Sequence, residues 1–230
     1  MASGRDTQDT IAEPFRSKRL VFRAIEDNEE DKTFLHTHLN ESAMHLQASN
    51  SLPRPWTKKS ISEIVGVFQE RLLSVMICLP SGSEAILDDA ADQEKAPGKE
   101  SEISKAEPAW KTATPIGSLS LWYPRGSATA HHRSAIMGIW LVASARGQGY
   151  GREAINWALD WAFDIAGLHR VGLEVYGFNE RALALYRSIG FVEEGRQREA
   201  FWHGRKWYDD ITMGILENEW ARLRGREEGA

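Results

Sequence analysis

Apolar positions along this chain repeat with two different periods, and the changes of period mark out its elements. Residues 17–25 alternate, with Leu20, Phe22 and Ala24 to one side, as a strand with one buried face does. An acidic stretch from Asp27 to Asp31 then opens a helix in which Phe34, Leu35, His38 and Leu39 recur at helical spacing; carboxylates there suit the positive helix end. Leu52-Pro-Arg-Pro-Trp-Thr57 reads as a rigid loop whose Thr57 caps a helix over 58–72, and strands follow at 73–79, 114–123 and 134–142. Residues 150–166 carry Ala154, Ile155, Ala158, Leu159, Trp161, Ala162 and Ile165 on one apolar face, with Gly167 as the stop. A strand over 168–176, a helix capped by Asn179 and ended by Gly190, and a hairpin of 191–201 with 206–216 turning at His203-Gly204-Arg205 complete the pattern.

Two stretches break it. Residues 1–16 are polar and read as a flexible lead-in, and 81–112 are rich in acids, Ala, Ser and Lys without an apolar period. Such a segment buries too little to offset the entropy of ordering, so it reads as a disordered acidic insertion between two strands, with a short helix near 83–91. A regulatory role and a tolerated surface insertion both stand as its meaning. The expected organisation is one domain over 17–220 and a flexible tail over 221–230.

Composition narrows the classes. A chain of 230 residues, 42% hydrophobic and with nine tryptophans, suffices for one real core. A net charge of −5 speaks against a general nucleic-acid binder. The single Cys78 forbids an internal disulfide, fits a reducing compartment and reads as a buried strand residue. No apolar run long enough for a membrane span occurs, and the first residues lack the apolar centre of a signal peptide, so a cytoplasmic protein is expected. His131 and His132 lack a third ligand at a recognisable spacing, so no metal site is expected.

The chemistry concentrates at Ile139-Trp-Leu-Val-Ala-Ser-Ala-Arg-Gly-Gln-Gly-Tyr-Gly-Arg-Glu-Ala154, a strand, a glycine-rich turn and a helix start. Gly147, Gly149 and Gly151 leave backbone N–H groups open at a helix N-terminus, where phosphate oxygens bind, and Arg146 and Arg152 bracket the turn. No Lys-Ser/Thr follows, which excludes a P-loop, and the glycine spacing departs from the dinucleotide fingerprint. Arg146-x-x-Gly149-x-Gly151 instead resembles the pyrophosphate loop of the GNAT superfamily of acyl-CoA-dependent N-acyltransferases. Downstream, Asn179, Ala182, Tyr186, Gly190 and Phe191 match that family's Asn-x-x-Ala-x-x-x-Tyr-x-x-x-Gly-Phe. The Pro-x-Pro-Trp segment, the Gly-Ile-Trp-Leu strand, Leu-His-Arg-Val and the closing Glu-Gly-Arg-Gln-Arg-Glu stretch resemble the RimJ/RimL-like branch.

The resemblance implies an α/β (α+β) fold, a mixed, mostly antiparallel seven-stranded sheet flanked by helices with its fourth and fifth strands splayed. It implies acetyl-CoA as cofactor, its pantetheine arm on backbone groups of Leu141, Val142 and Ala143 and on Asn179. The pyrophosphate falls on Arg146, Gly147, Gln148, Gly149, Tyr150, Gly151 and Arg152. The implied activity is N-acetyl transfer to a primary amine, such as a protein N-terminus, a polyamine or another small amine. The alternative is a non-catalytic acyl-CoA-binding or interaction module. Tyr186 matches the tyrosine that protonates the leaving thiolate; a tyrosine that merely packs is the other reading. Trp56, Trp202 and Tyr208 are candidates for the acceptor side, Trp56 equally as packing. Some relatives carry a carboxylate on the fourth strand about where this chain has Ile136; a water relay, backbone carbonyls, Glu174 or a loop histidine stand as substitutes. No nucleic-acid or membrane partner is expected, and the chain is expected to be a monomer or homodimer.

Overall fold

The computed structural model describes residues 14–41, 52–81 and 112–226. Residues 1–13 of the lead-in, 82–111 of the insertion with its expected helix, and 227–230 lie outside the described residues. Seven strands, β1 (Val21–Ala24), β2 (Leu73–Leu79), β3 (Thr114–Trp122), β4 (Ser134–Leu141), β5 (Arg170–Tyr176), β6 (Val192–His203) and β7 (Lys206–Leu216), form one sheet in the order β1-β2-β3-β4-β5-β7-β6. Every neighbouring pair is antiparallel except β4 with β5. Leu79 pairs with Thr114, so the two ends of the insertion meet across an antiparallel ladder.

Helices cover both faces. On one lie α1 (Glu29–Leu39) and α2 (Lys58–Gln69), whose Leu35, Ile61, Val65 and Phe68 bury against Met76 and Cys78. Each starts where its cap residue dictates: the side chain of Asn28 accepts the N–H of Asp31, and Thr57 that of Ser60. On the other face α3 (Tyr150–Asp160), α4 (Glu180–Ile189) and α5 (Glu217–Leu223) bury Ile155, Leu159, Leu183, Ile189 and Trp220 against Val75, Ile77, Leu119, Leu173 and Ile211. Asp31, 1% exposed, is held by both guanidinium nitrogens of Arg23 and by the Glu26 N–H, so its charge is buried but compensated. No helix among the described residues is long and apolar enough to cross a membrane.

Three expectations are corrected. Ala24 is exposed, because the alternation at β1 ends after Phe22. The helix expected over 150–166 passes into a π-turn at Trp161–Ile165, where the Ala166 N–H reaches back to the Trp161 carbonyl. The widened turn rotates the end of the helix, and Ile165 lies 56% exposed instead of on the apolar face. Finally, residues 221–226, read as flexible tail, are tied down: α5 runs on past Trp220, Arg224 pairs with Asp160, and Arg226 with Asp164.

Candidate active site

The parallel pair β4–β5 is short. Ser134 pairs with Arg170, Ala135 with Val171 and Ile136 with Gly172, after which Met137–Leu141 and Leu173–Tyr176 have no partner in each other. The strands therefore part just where Ile136 stands. Beyond that point β4 keeps β3 on one side, and the Val142 N–H closes the ladder on the Ile116 carbonyl. Antiparallel ladders alternate the direction of successive peptide groups, so those of Met137, Ile139 and Leu141 face the open side. Of the backbone groups expected there on Leu141, Val142 and Ala143, the Val142 N–H bonds to β3. The Leu141 carbonyl accepts the Nε of Arg146, and the carbonyls of Val142 and Ala143 close a short 3-10 turn. The open edge thus comprises Met137 and Ile139 together with the N–H of Leu141.

The glycine turn leads from that edge into α3. Gly147 and Gly149 hold φ of +83° and +84°, a region that a side chain strains. Gly149 is the N-cap of α3 and has no side chain to satisfy the helix start; the Glu153 N–H bonds to the Gly149 carbonyl. The N–H groups of Tyr150, Gly151 and Arg152 have no intrahelical acceptor by geometry, an arrangement suited to an anion. Gly151 differs, since a Cβ there meets Leu141 and Leu185 at 3.6 and 3.8 Å, ordinary contact.

The bracketing arginines are turned elsewhere. Arg146 reaches the Leu141 carbonyl, and Arg152 reaches Ser188 Oγ on α4 at 2.7 Å. Two cations from distant parts of the sequence stand over the turn instead. A Cβ at Gly147 sits 3.1 Å from Arg181 Nη2, and one at Gly149 3.1 Å from Arg19 Nη2. Arg19 also donates to the Gln148 carbonyl, pairs with Glu153 and stacks on the Tyr150 ring. The Gln148 side chain folds back onto the Ser144 carbonyl. Sequence reasoning missed Arg19 and Arg181; only the position of Arg181 two residues into the Asn179 motif hinted at its place.

Asn179 caps α4 through Oδ1 on the Ala182 N–H at 3.2 Å. Tyr186, one helical face on, packs at the margin of the hydrophobic layer that also takes Ile139, Leu141, Tyr150 and Leu185. Burial pushes its phenol up to about 12.

The opposite face of the splayed pair is walled differently. Register places Trp140 of β4 opposite Ser118, itself opposite Met76, on the α1–α2 side; there its ring stacks on Phe34 at 5.8 Å. Trp56 packs into the same layer, with its backbone clamped by Asn40 and His36. At the far end, Tyr176 stacks on Phe201 at 4.1 Å, and Phe178 meets Tyr208 edge-on. Asp210, opposite Tyr176, is raised above the usual carboxylate range by burial, and its Oδ1 is shielded without a hydrogen-bond partner. Trp202 is separated from this wall. It pairs with Trp207 on the other side of the hairpin, and both rings are more than half exposed. His131 and His132 sit side by side on an exposed 3-10 turn, and no metal-holding group occurs among the described residues.

Comparison with known proteins agrees with this geometry. Residues 79–191 match the acetyltransferase (GNAT) family. A spermidine N(1)-acetyltransferase of Vibrio cholerae serotype O1 is 39% identical over 89 residues, which is 39% of this chain and 51% of that protein. The spermidine N(1)-acetyltransferase of Escherichia coli K12 is 29% identical over 39% of this chain and 48% of its own length. The chain thus spans about half the length of the curated relatives it matches. A crystal structure of spermidine N-acetyltransferase from Vibrio cholerae in complex with CoA and spermine superposes with a TM-score of 0.64, at 24% identity, over 89% of this chain and 99% of that one. The fold is therefore the GNAT fold, a seven-stranded, mostly antiparallel sheet between helices.

Proposed function

We propose that this GNAT-superfamily chain moves the acetyl group of acetyl-CoA to a primary amine by direct aminolysis of the thioester. One observation carries the reading: a helix start with a glycine cap and open N–H groups lies at the end of a strand that has just parted from its neighbour. The pyrophosphate fits the turn of Gly147, Gly149 and Gly151, with Arg19 and Arg181 as its cations. The pantetheine arm fits the open edge of Met137 and Ile139, and the thioester falls between the parted strands. Acetyl-CoA supplies the activated acyl carbon; the chain supplies position, desolvation and proton handling.

Free amines with a pKa of about 10.4 are ammonium ions at neutral pH, so attack waits on loss of a proton. The nitrogen then bonds to the carbonyl carbon, the C–S bond breaks, and the second N–H proton leaves to solvent as the thiolate takes one up. Tyr186 acts at the sulfur. Full transfer from a phenol at about 12 to a thiolate at about 8.5 runs uphill by roughly 5 kcal/mol. Its part is therefore that of a hydrogen-bond donor to the forming thiolate, with burial keeping the O–H in place.

The acceptor is an amine of the polyamine kind, which the relatives' spermidine activity favours. The RimJ/RimL-like resemblance spans protein N-termini, polyamines and small amines, so protein N-termini are the second acceptor to try. The lone free thiol at Cys78 favours a reducing compartment, read as the cytoplasm. The test is thiol release from acetyl-CoA by the purified chain, with spermidine, alkyl diamines and short peptides as acceptors. Amine-dependent release is expected. Absence of release with every amine, together with heat of CoA binding, reduces the chain to a binding module; absence of both removes the reading.

A further inference from the structure

On the face of the sheet that α1 and α2 cover, β4 presents Ile136, Gly138 and Trp140, and β5 presents Gly172, Glu174 and Tyr176. On the acetyl-transfer reading, with the coenzyme entering over α3, this opposite face is the one left to the acceptor. β4 offers no ionisable group there. Glu174 is the one carboxylate on either strand along this face, two residues beyond the last rung, and it is exposed.

Its surroundings leave it free. Among the described residues it has no hydrogen-bond or ion-pair partner. The cation that β5 itself carries on this face is Arg170, whose guanidinium lies over Gly172 and is engaged by Glu194. Across the ladder stand Thr212, directly opposite, and Asp210, opposite Tyr176. The Tyr176 phenol is pushed up to about 12 by burial first and by Asp210 and Glu174 after it, so it stays neutral. Glu174 and Asp210 thus set a negative field beside the parted edge, which draws a cationic amine.

We propose that Glu174 takes the proton from the acceptor's ammonium, directly or through one water, before the nitrogen attacks. The step rests on the acetyl-transfer reading above. The N–H bond breaks, Glu174 relays the proton on to solvent, and the freed lone pair then forms the N–C bond. A rival base stands on α1. His38 pairs with Glu41 through Nδ1 at 2.6 Å and touches Phe34, the ring that stacks on Trp140.

Glu174→Gln is the test, since an exposed side chain on an intact strand leaves folding unaffected. The assay compares kcat/KM with acetyl-CoA for 1,3-diaminopropane and its 2,2-difluoro analogue, whose less basic nitrogens are largely neutral already. The variant is expected to lose about 10²–10⁴-fold with the first amine and less than about tenfold with the second, with CoA affinity unchanged. An equal loss with both amines, or no loss with either, overturns the proposal. So does a His38→Gln variant that shows this amine-dependent loss while Glu174→Gln does not. A wild-type chain that turns over no amine brings down the acetyl-transfer reading together with this one, whereas normal wild-type turnover with an unaffected variant brings down this one alone.

Discussion

Arg170 and Glu194 form an ion pair that crosses from β5 to β6 over β7, lying on the bare backbones of Gly172 and Gly214. The two glycines are cross-strand partners, and each leaves the space that one half of the pair occupies: a Cβ on Gly172 comes within 2.7 Å of Arg170 Nη1, and one on Gly214 within 2.5 Å of Glu194 Oε1. The pair occupies the Arg170 cation over Gly172, and Glu174 stands two residues beyond that glycine on the same face.

Gly214→Ala is expected to push the Glu194 carboxylate off Arg170 and leave that guanidinium to neutralise Glu174. Only the end of a flexible side chain has to give, and a partly exposed ion pair is worth at most about 1 kcal/mol, so urea unfolding should shift by no more than that. Acetyl transfer should nonetheless fall. Unchanged turnover with the pair displaced argues that Arg170 has no influence on the site.

The glycines of the turn should not be equivalent. Gly149→Ala forces a side chain into the left-handed region, at a cost of roughly 1–2 kcal/mol, beside Arg19; CoA affinity measured by calorimetry should drop about tenfold or more. Gly151→Ala meets only ordinary contacts and should bind CoA as the wild type does. Equal effects of the two would mean that backbone conformation does not set the anion site.

Tyr186→Phe removes the donor while keeping the ring against Phe191, 5.8 Å away. Loss of one donor to developing charge is worth roughly 10²–10³ in kcat, and that is the fall expected, with CoA binding intact. A variant as fast as wild type in single-turnover acetyl transfer leaves Tyr186 as a packing residue.

Cys78 sets a limit on alkaline stability. Its thiol is fully buried and pushed up from 9.0 to about 11, by burial foremost. The unfolded chain gives up that proton from about pH 9 and the folded chain only near 11, so above pH 9 the unfolded state binds fewer protons. The associated stability, about 2–3 kcal/mol, is complete below pH 9 and is lost as pH rises towards 11. Tyr176 and Tyr186, raised from 10.0 to about 12, continue the decline in the same direction. Urea titrations at about pH 8 and about pH 10 should show a smaller drop for Cys78→Ala than for wild type, and an equal drop removes Cys78 from the account.

Much of the fold is legible because it is local. Thr57 and Asn179 cap the helices their sequence announces, and the strands expected at 73–79 and 206–216 coincide with β2 and β7. The motif residues do meet: the turn at Gly149, the end of β4 at Leu141 and α4 at Leu185 converge around Gly151. The features that escape are set by distance or by direction. Arg19 reaches the turn from 129 residues away, as its bond to Gln148 shows, and no periodicity announces it. Val142 misleads because an N–H can face either neighbour, which only the register with Ile116 decides. Trp202 falls on the far side of its hairpin because the side-chain direction there follows the pairing with Trp207, and β6 carries two register shifts before reaching it. The π-turn after Asp160 adds one residue to a turn, a change that apolar spacing alone does not reveal.

The three rungs between β4 and β5 have a consequence for how the molecule comes apart. Hydrogen bonds tie β1–β4 into one unit and β5–β7 into another, while the joint between them is made mostly by side chains layered beneath α3 and α4. Amide exchange should therefore resolve two cooperative blocks that open separately, and a coenzyme spanning the gap should fuse them into one. The bound molecule would serve as the missing length of ladder.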